Sequence, residues 1–142
     1  MARSPSSCSI ERTVEWADTD AAGHQHNSAI LRWAESCEAQ LFRELDLPEY
    51  FSSAPRVHQE VTFTAKLYFG QRVRTTIHVQ EMGDKALTLA FVTEGLEFNG
   101  TPQSRAAYGT VTTVHVAPGD SRASFWPTRI RERIVAAPAP AP

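Results

Sequence analysis

Cysteine is nearly missing from this chain, with two in 142 residues, Cys8 and Cys37. So sparse a set builds no disulfide framework, and its spacing matches no zinc site. Positive charge is not in excess either. Fourteen Lys and Arg stand against sixteen Asp and Glu, a formal net charge of −2, whereas a nucleic-acid binder needs a basic stripe. No apolar run approaches the ~20 residues that cross a bilayer. The opening Met-Ala-Arg-Ser-Pro-Ser-Ser-Cys has no apolar segment of the kind a secretory signal carries, so the expected compartment is the cytoplasm, with both thiols free. Internal repeats are lacking as well. What is present is ordinary for one globular domain: 42% hydrophobic and 21% charged residues, at a length that supports a core without metal or disulfide staples.

Residues 1–9 read as a loose arm, 10–135 as the folded domain, and the Pro/Ala run 136–142 as an extended, solvated tail. Glu11 to Trp16 suits a short strand. Ser28 to Leu47 predicts the main helix, because Ile30, Ala34, Cys37, Leu41 and Leu45 form one continuous stripe. Asn27 or Ser28 is placed to cap it, and Pro48 to end it. The period then changes to two. Val57, Gln59, Val61, Phe63 and Ala65 share one strand face; Arg56, His58, Glu60, Thr62 and Thr64 share the other. Strands follow at Val73–Val79, from Leu87 to about Glu97, and from Gln103 to Val116. The connections are Phe69-Gly70, Met82-Gly83-Asp84-Lys85 and the hairpin dipeptide Asn99-Gly100. Short turns force antiparallel neighbours, so the domain is α+β with the one long helix covering the sheet. Trp126 to Arg133 fits a short terminal helix.

The densest chemistry lies in Trp16-Ala-Asp18-Thr-Asp20-Ala-Ala-Gly23-His24-Gln-His26-Asn27. Two carboxylates, two imidazoles and a glycine fall where a strand pattern becomes a helix pattern. A carboxylate facing a helix N-terminus can attack or hydrate a carbonyl while main-chain amides hold the oxyanion. Asp18 reads best as a capping acid that fixes the loop, and His26 as a structural imidazole. The His and Asp spacing fits no zinc pattern.

At Asp18-Thr-Asp20-Ala-Ala-Gly23-His24 with Asn27, followed by Leu31-Arg-Trp33-Ala-Glu35, the sequence resembles the hotdog-fold thioesterases. The branch is that of the 4-hydroxybenzoyl-CoA thioesterase-like acyl-CoA hydrolases. The likeness continues through Val61-Thr-Phe63 and Phe69-Gly70 and ends at Phe125-Trp126-Pro127. Lys66 departs from it, where relatives commonly carry Pro, and so does Gln71, where they carry an acid. The resemblance implies a five-stranded antiparallel sheet wrapped around one long central helix. It also implies homodimers or homotetramers with active sites at the subunit interface, and a substrate that is an acyl-CoA or acyl-carrier-protein thioester, hydrolysed without cofactor or metal.

Carried over residue by residue, Asp20 is the implied catalytic carboxylate, as nucleophile or as base for water. The Asn27 amide is the implied oxyanion donor, and Gly23 allows close approach of backbone to ligand. His24 would bond the carbonyl or the Asp20 loop. Glu35 is the rival carboxylate, or lines the acyl pocket. Trp33, with Tyr68 and Phe69, would shape the acyl channel. Lys66, Arg72, Arg74 and Arg105 are candidates for the CoA phosphates. Two rival readings remain: a hotdog dehydratase or hydratase acting on 3-hydroxyacyl thioesters through His24 and Glu35, and a non-catalytic module that binds acyl thioesters.

Overall fold

The computed structural model describes residues 4–138. Strand β1 (Ser7–Thr13) leads through a 3-10 turn (Trp16–Asp18) into helix α1 (Asn27–Glu44). A second 3-10 turn (Pro48–Tyr50) precedes β2 (Arg56–Phe63), β3 (Arg72–Met82), β4 (Ala86–Gly95) and β5 (Ser104–Val114), and helix α2 (Thr128–Arg133) follows. All strands join one antiparallel sheet in the order β1-β3-β4-β5-β2. Helix α1 packs on its inner face against β1 and β3.

The strand alternation dictates that face. Val73, Ile77 and Val79 of β3 and Leu87, Leu89 and Phe91 of β4 turn inward to meet Ile30, Ala34, Cys37 and Leu41 of α1. Each such large side chain, fully buried, contributes about 1.5–3 kcal/mol. Contact is close enough for the Cys37 thiol to reach the carbonyl oxygens of Cys8 (3.2 Å) and Thr75 (3.4 Å). The buried face of α1 is wider than the sequence stripe: Ala29, Trp33, Glu38 and Phe42 are also inside. A helix covered by sheet on more than one side buries more than a single row of residues.

Several boundaries differ from the sequence expectation, each for a local reason. Helix α1 begins at Asn27 with His26 as its cap, in place of Asn27 or Ser28. It stops at Glu44 because Asp46 adopts a left-handed φ of 56°; Pro48 starts the following 3-10 turn and does not itself end the helix. Strand β1 starts at Ser7, inside the expected arm, since Cys8 and Ile10 alternate inward. The chain is paired even before it, Ser6 N–H donating to Val135 O at 2.9 Å. The expected Pro/Ala tail is bonded as far as Ala137, which donates to Val79 O; residues 1–3 and 139–142 lie outside the described residues. In β2 a bulge between Arg56 and His58 breaks the alternation, so Arg56 turns under the sheet to Glu38 while Val57 is exposed. The Asn99-Gly100 turn forms as expected, both residues at positive φ (49° and 84°) between the bridged Phe98 and Thr101. Among the described residues no helix is long and apolar enough to cross a membrane.

Candidate active site

The two carboxylates of the motif take different fates. Asp18 is buried, and all its acceptors are spent on the loop. Its Oδ2 accepts the Glu15 amide (2.8 Å), its Oδ1 accepts Arg32 Nη2 (2.7 Å), and its carbonyl accepts the His26 amide (2.7 Å). It is a fastener between the 3-10 turn and α1. Asp20 is exposed, and among the described residues only its Oδ1 is engaged, by the Ala22 amide at 2.8 Å. The segment folds back as a tight hairpin: Thr19 bridges Gln25, Gly23 donates to Asp20 O, and Asp20 donates to His24 O. Gly23 supplies the φ of +87° at the bend. A Cβ there would meet nothing within 4 Å, so the requirement is conformational and not spatial.

At the start of α1 the amides are allotted one by one. Ser28 N–H donates to His26 Nδ1 (3.1 Å), and Ala29 N–H to His26 O (3.0 Å). Among the described residues the Asn27 N–H has no partner, and it carries the positive end of the helix dipole.

The opposite wall comes from 63–66, the last residue of β2 and the three that follow it. Thr64 and Ala65 donate their amides to Ala106 O, and Thr64 Oγ1 donates to Arg105 O. One side chain ties the two walls together. Gln25 is buried; its Nε2 donates to Ala65 O (3.2 Å), its Oε1 accepts the Leu67 amide (2.8 Å), and its own amide donates to Leu67 O (2.9 Å). His24 bridges Tyr68 alongside. Between the walls lies a cleft of about 430 Å³ holding Asp20, His24, His26, Asn27, Phe63 and Lys66.

The structure thus gathers Asp20, His24, Asn27 and Lys66 about one opening; Gly23 forms the bend of the loop and is not part of the lining. Trp33 stands apart, packed in the core at 5% exposure. Glu35 is exposed on α1, outside the cleft lining, where its charge acts on Arg56. Arg72 and Arg74 face Glu11 across the β1–β3 ladder. The Arg105 guanidinium lies over the Tyr108 ring, with its carbonyl against Thr64.

Three buried polar residues that tie segments together were given no such role by the sequence reading. Gln25 was hidden between two imidazoles that drew the chemistry. Gln71 is the second: its Oε1 accepts the Tyr68 amide and its Nε2 donates to Leu96 O. An ionised acid at that position could not make the second bond. The third, Glu38, had a visible signal. It continues the Ile30–Ala34 row one turn on, an acid on an apolar stripe. It is 4% exposed, paired with Arg56 (2.6 Å) and bonded by the Tyr50 hydroxyl (2.5 Å). Burial and the Glu38 carboxylate push the Tyr50 phenol far above its usual range.

Comparison with known proteins agrees with this architecture. A family model described as the thioesterase-like superfamily matches residues 14–134. The 1,4-dihydroxy-2-naphthoyl-CoA hydrolase of Thermosynechococcus vestitus is 32% identical over 87 residues, which take in 57% of this chain and 60% of that protein. The match therefore spans less than two thirds of that relative's length. A predicted thioesterase from Bacillus stearothermophilus superposes with a TM-score of 0.79 at 23% identity, covering 94% of this chain and 99% of the other. The 4-hydroxybenzoyl-CoA thioesterase of Pseudomonas sp. strain CBS-3 gives 0.79 at 16% identity, covering 89% and 98%. These structural likenesses establish the hotdog fold: a five-stranded sheet and one long helix.

Proposed function

The chain belongs to the thioesterase-like superfamily, and we propose on that footing that it hydrolyses acyl-CoA or acyl-carrier-protein thioesters, with Asp20 as the working carboxylate. The observation that carries the reading is the pairing, on one cleft, of a half-free carboxylate and a partnerless amide at the N-terminus of a buried helix. A thioester carbonyl is already electrophilic and its thiolate leaves well. The site needs only a nucleophile or activated water, and donors for the oxyanion. The Oδ2 of Asp20 supplies the first, the Asn27 N–H the second, and His24 a further polar contact. Lys66 is the basic side chain on the cleft wall, suited to a CoA phosphate, with Arg105 behind it at Thr64.

The cleft is open in one chain, and β2 is a sheet edge exposed along almost its whole length, with Val57 59% and Phe63 48% exposed. An unpaired edge is a liability, and a symmetric copy closes it. We therefore assign a homodimer, or a tetramer of such pairs, in which the second subunit completes the thioester cleft. The free thiols fit a reducing cytoplasm.

The test is hydrolysis of an acyl-CoA panel, 1,4-dihydroxy-2-naphthoyl-CoA and 4-hydroxybenzoyl-CoA included, followed with a thiol reagent. Asp20→Asn should lower kcat by roughly 10²–10⁴ while moving KM little, and Glu35→Gln should do much less. Solvent ¹⁸O found in the Asp20 carboxyl after turnover would mark attack by Asp20 through a mixed anhydride opened at the Asp20 carbon; base catalysis leaves none there. A wild type that cleaves nothing, or an Asp20→Asn enzyme at full rate, overturns the proposal.

A further inference from the structure

We infer that His26 is a positioning residue that holds the cleft's oxyanion donor in place only while its ring is neutral. This rests on the reading of Asn27 given above, and it adds a proton switch to that site.

The geometry fixes the ring's state. The Ser28 main-chain N–H, which can only donate, points at His26 Nδ1 at 3.1 Å. Nδ1 must therefore carry its lone pair inward, and the single proton of the neutral ring sits on Nε2. Ser28 Oγ lies 2.8 Å from the same nitrogen and in this tautomer donates to it as well. The result is a cap built from imidazole, where Ser, Thr, Asn or Asp usually serve. It has a chemical consequence none of those residues has between about pH 5 and 8. Protonation replaces the acceptor lone pair with an N–H aimed at another N–H, and sets a cation on the positive end of the helix. The Ser28 amide then loses its acceptor while the new Nδ1–H turns to Ser28 Oγ, and Asn27, which adjoins the cap and lines the cleft, is left held by the main-chain bonds of His26 alone. The sequence of consequences is local: ring proton, Ser28 amide, first turn of α1, oxyanion site.

The charged and titratable groups facing the ring are few. Asp20, His24 and Lys66 share the cleft with it. On its own helix the first turn holds no acid, and Arg32 is committed to Asp18. The effect is thus tied to His26, with Asp20 and His24 as the neighbours whose titration has to be separated.

The experiment has two arms on the full chain. In the first, ¹⁵N NMR of the wild type at about pH 8 should find His26 as the Nε2–H tautomer, and on acidification the His26 ring and the Ser28 amide should titrate with one shared midpoint. In His26→Asn, whose side-chain oxygen caps without titrating, the Ser28 amide should no longer move over that range. An Nδ1–H tautomer, or a Ser28 amide indifferent to the ring, overturns the inference. The second arm reads kcat against pH on a cleaved acyl-CoA. The wild type should lose rate on the acid side with that same midpoint. His26→Asn should lose this step, His24→Asn should keep it, and an acid limb unchanged in His26→Asn refutes the gating. If no thioester is cleaved while the NMR arm holds, the proposed hydrolase reading fails and the capping role stands.

Discussion

Removing the Gln25 carboxamide tests how the cleft is held open. Gln25→Ala deletes two hydrogen bonds at once. Leu67 is fully buried, so its stranded amide has no water to turn to and costs about 1–3 kcal/mol. The Ala65 carbonyl lies on the cleft and can be rehydrated, so its loss adds only about 0.5–1.5 kcal/mol. The sum, about 2–4 kcal/mol, corresponds to a Tm lower by about 5–15 °C for a domain of this size. Gln25→Glu separates donor from acceptor. The carboxylate keeps the Leu67 contact but sets a charged oxygen against the Ala65 carbonyl, where Nε2 now donates. Protonating that glutamate restores a donor, so this variant, unlike Gln25→Ala, should regain stability relative to wild type as the pH falls. Turnover should suffer more than stability suggests. The wall 63–66 is positioned against Asp20 through this side chain, and a displacement near 1 Å at a reacting centre costs roughly 10² in rate. Urea unfolding at fixed protein concentration gives the first quantity and kcat/KM the second. Both variants unfolding within about 0.5 kcal/mol of wild type, with unchanged turnover, would refute the argument that Gln25 joins the walls.

Glu38→Gln should cost about 2–4 kcal/mol, at or below the usual range for a broken buried pair because the Arg56 side chain remains 31% exposed. The double variant Glu38→Gln/Arg56→Met should lose less than the sum of the singles; additive losses in a urea cycle would deny the coupling. Gly109→Ala places a Cβ 1.9 Å from the Glu60 carbonyl oxygen, so β2 must move off β5. We expect a loss of about 3 kcal/mol or more with faster amide exchange along β2, and a wild-type Tm would contradict this. Burial pushes the Cys37 thiol up from 9.0 to about 12, with Cys8 beside it adding to the rise. The unfolded thiol ionises near its ordinary value while the folded one holds its proton, so stability is intact below pH 9 and is lost as the pH rises through about 12. The fall in Tm with alkali should be shallower in Cys37→Ala, though not flat, because the Tyr50 phenol titrates with the same sign; an identical slope would exclude Cys37 as a source.

Much of this protein is written in local order. The 3.6 and 2.0 periods report which positions are buried, and they identified the helix and the long strands to within a few residues. Asn99-Gly100 named its own turn because only residues tolerant of positive φ fit there. The motif from Asp18 to Asn27 could be read because its parts lie within ten residues. Tertiary structure decided whatever depends on a partner that arrives from elsewhere in the chain. Asp18 could be read as a loop-fixing acid and Asp20 as the working one, but the sequence did not name the partner that holds Asp18, Arg32, fourteen residues on, while Asp20 is left on the cleft. The cleft's second wall is brought by a side chain reaching across forty residues. One bulge in β2 turned Arg56 inward against the strand's own alternation. Periodicity encodes how much of a residue is hidden from water, but not which distant donor or acceptor will meet it, and at this site that pairing determines which groups are left to act.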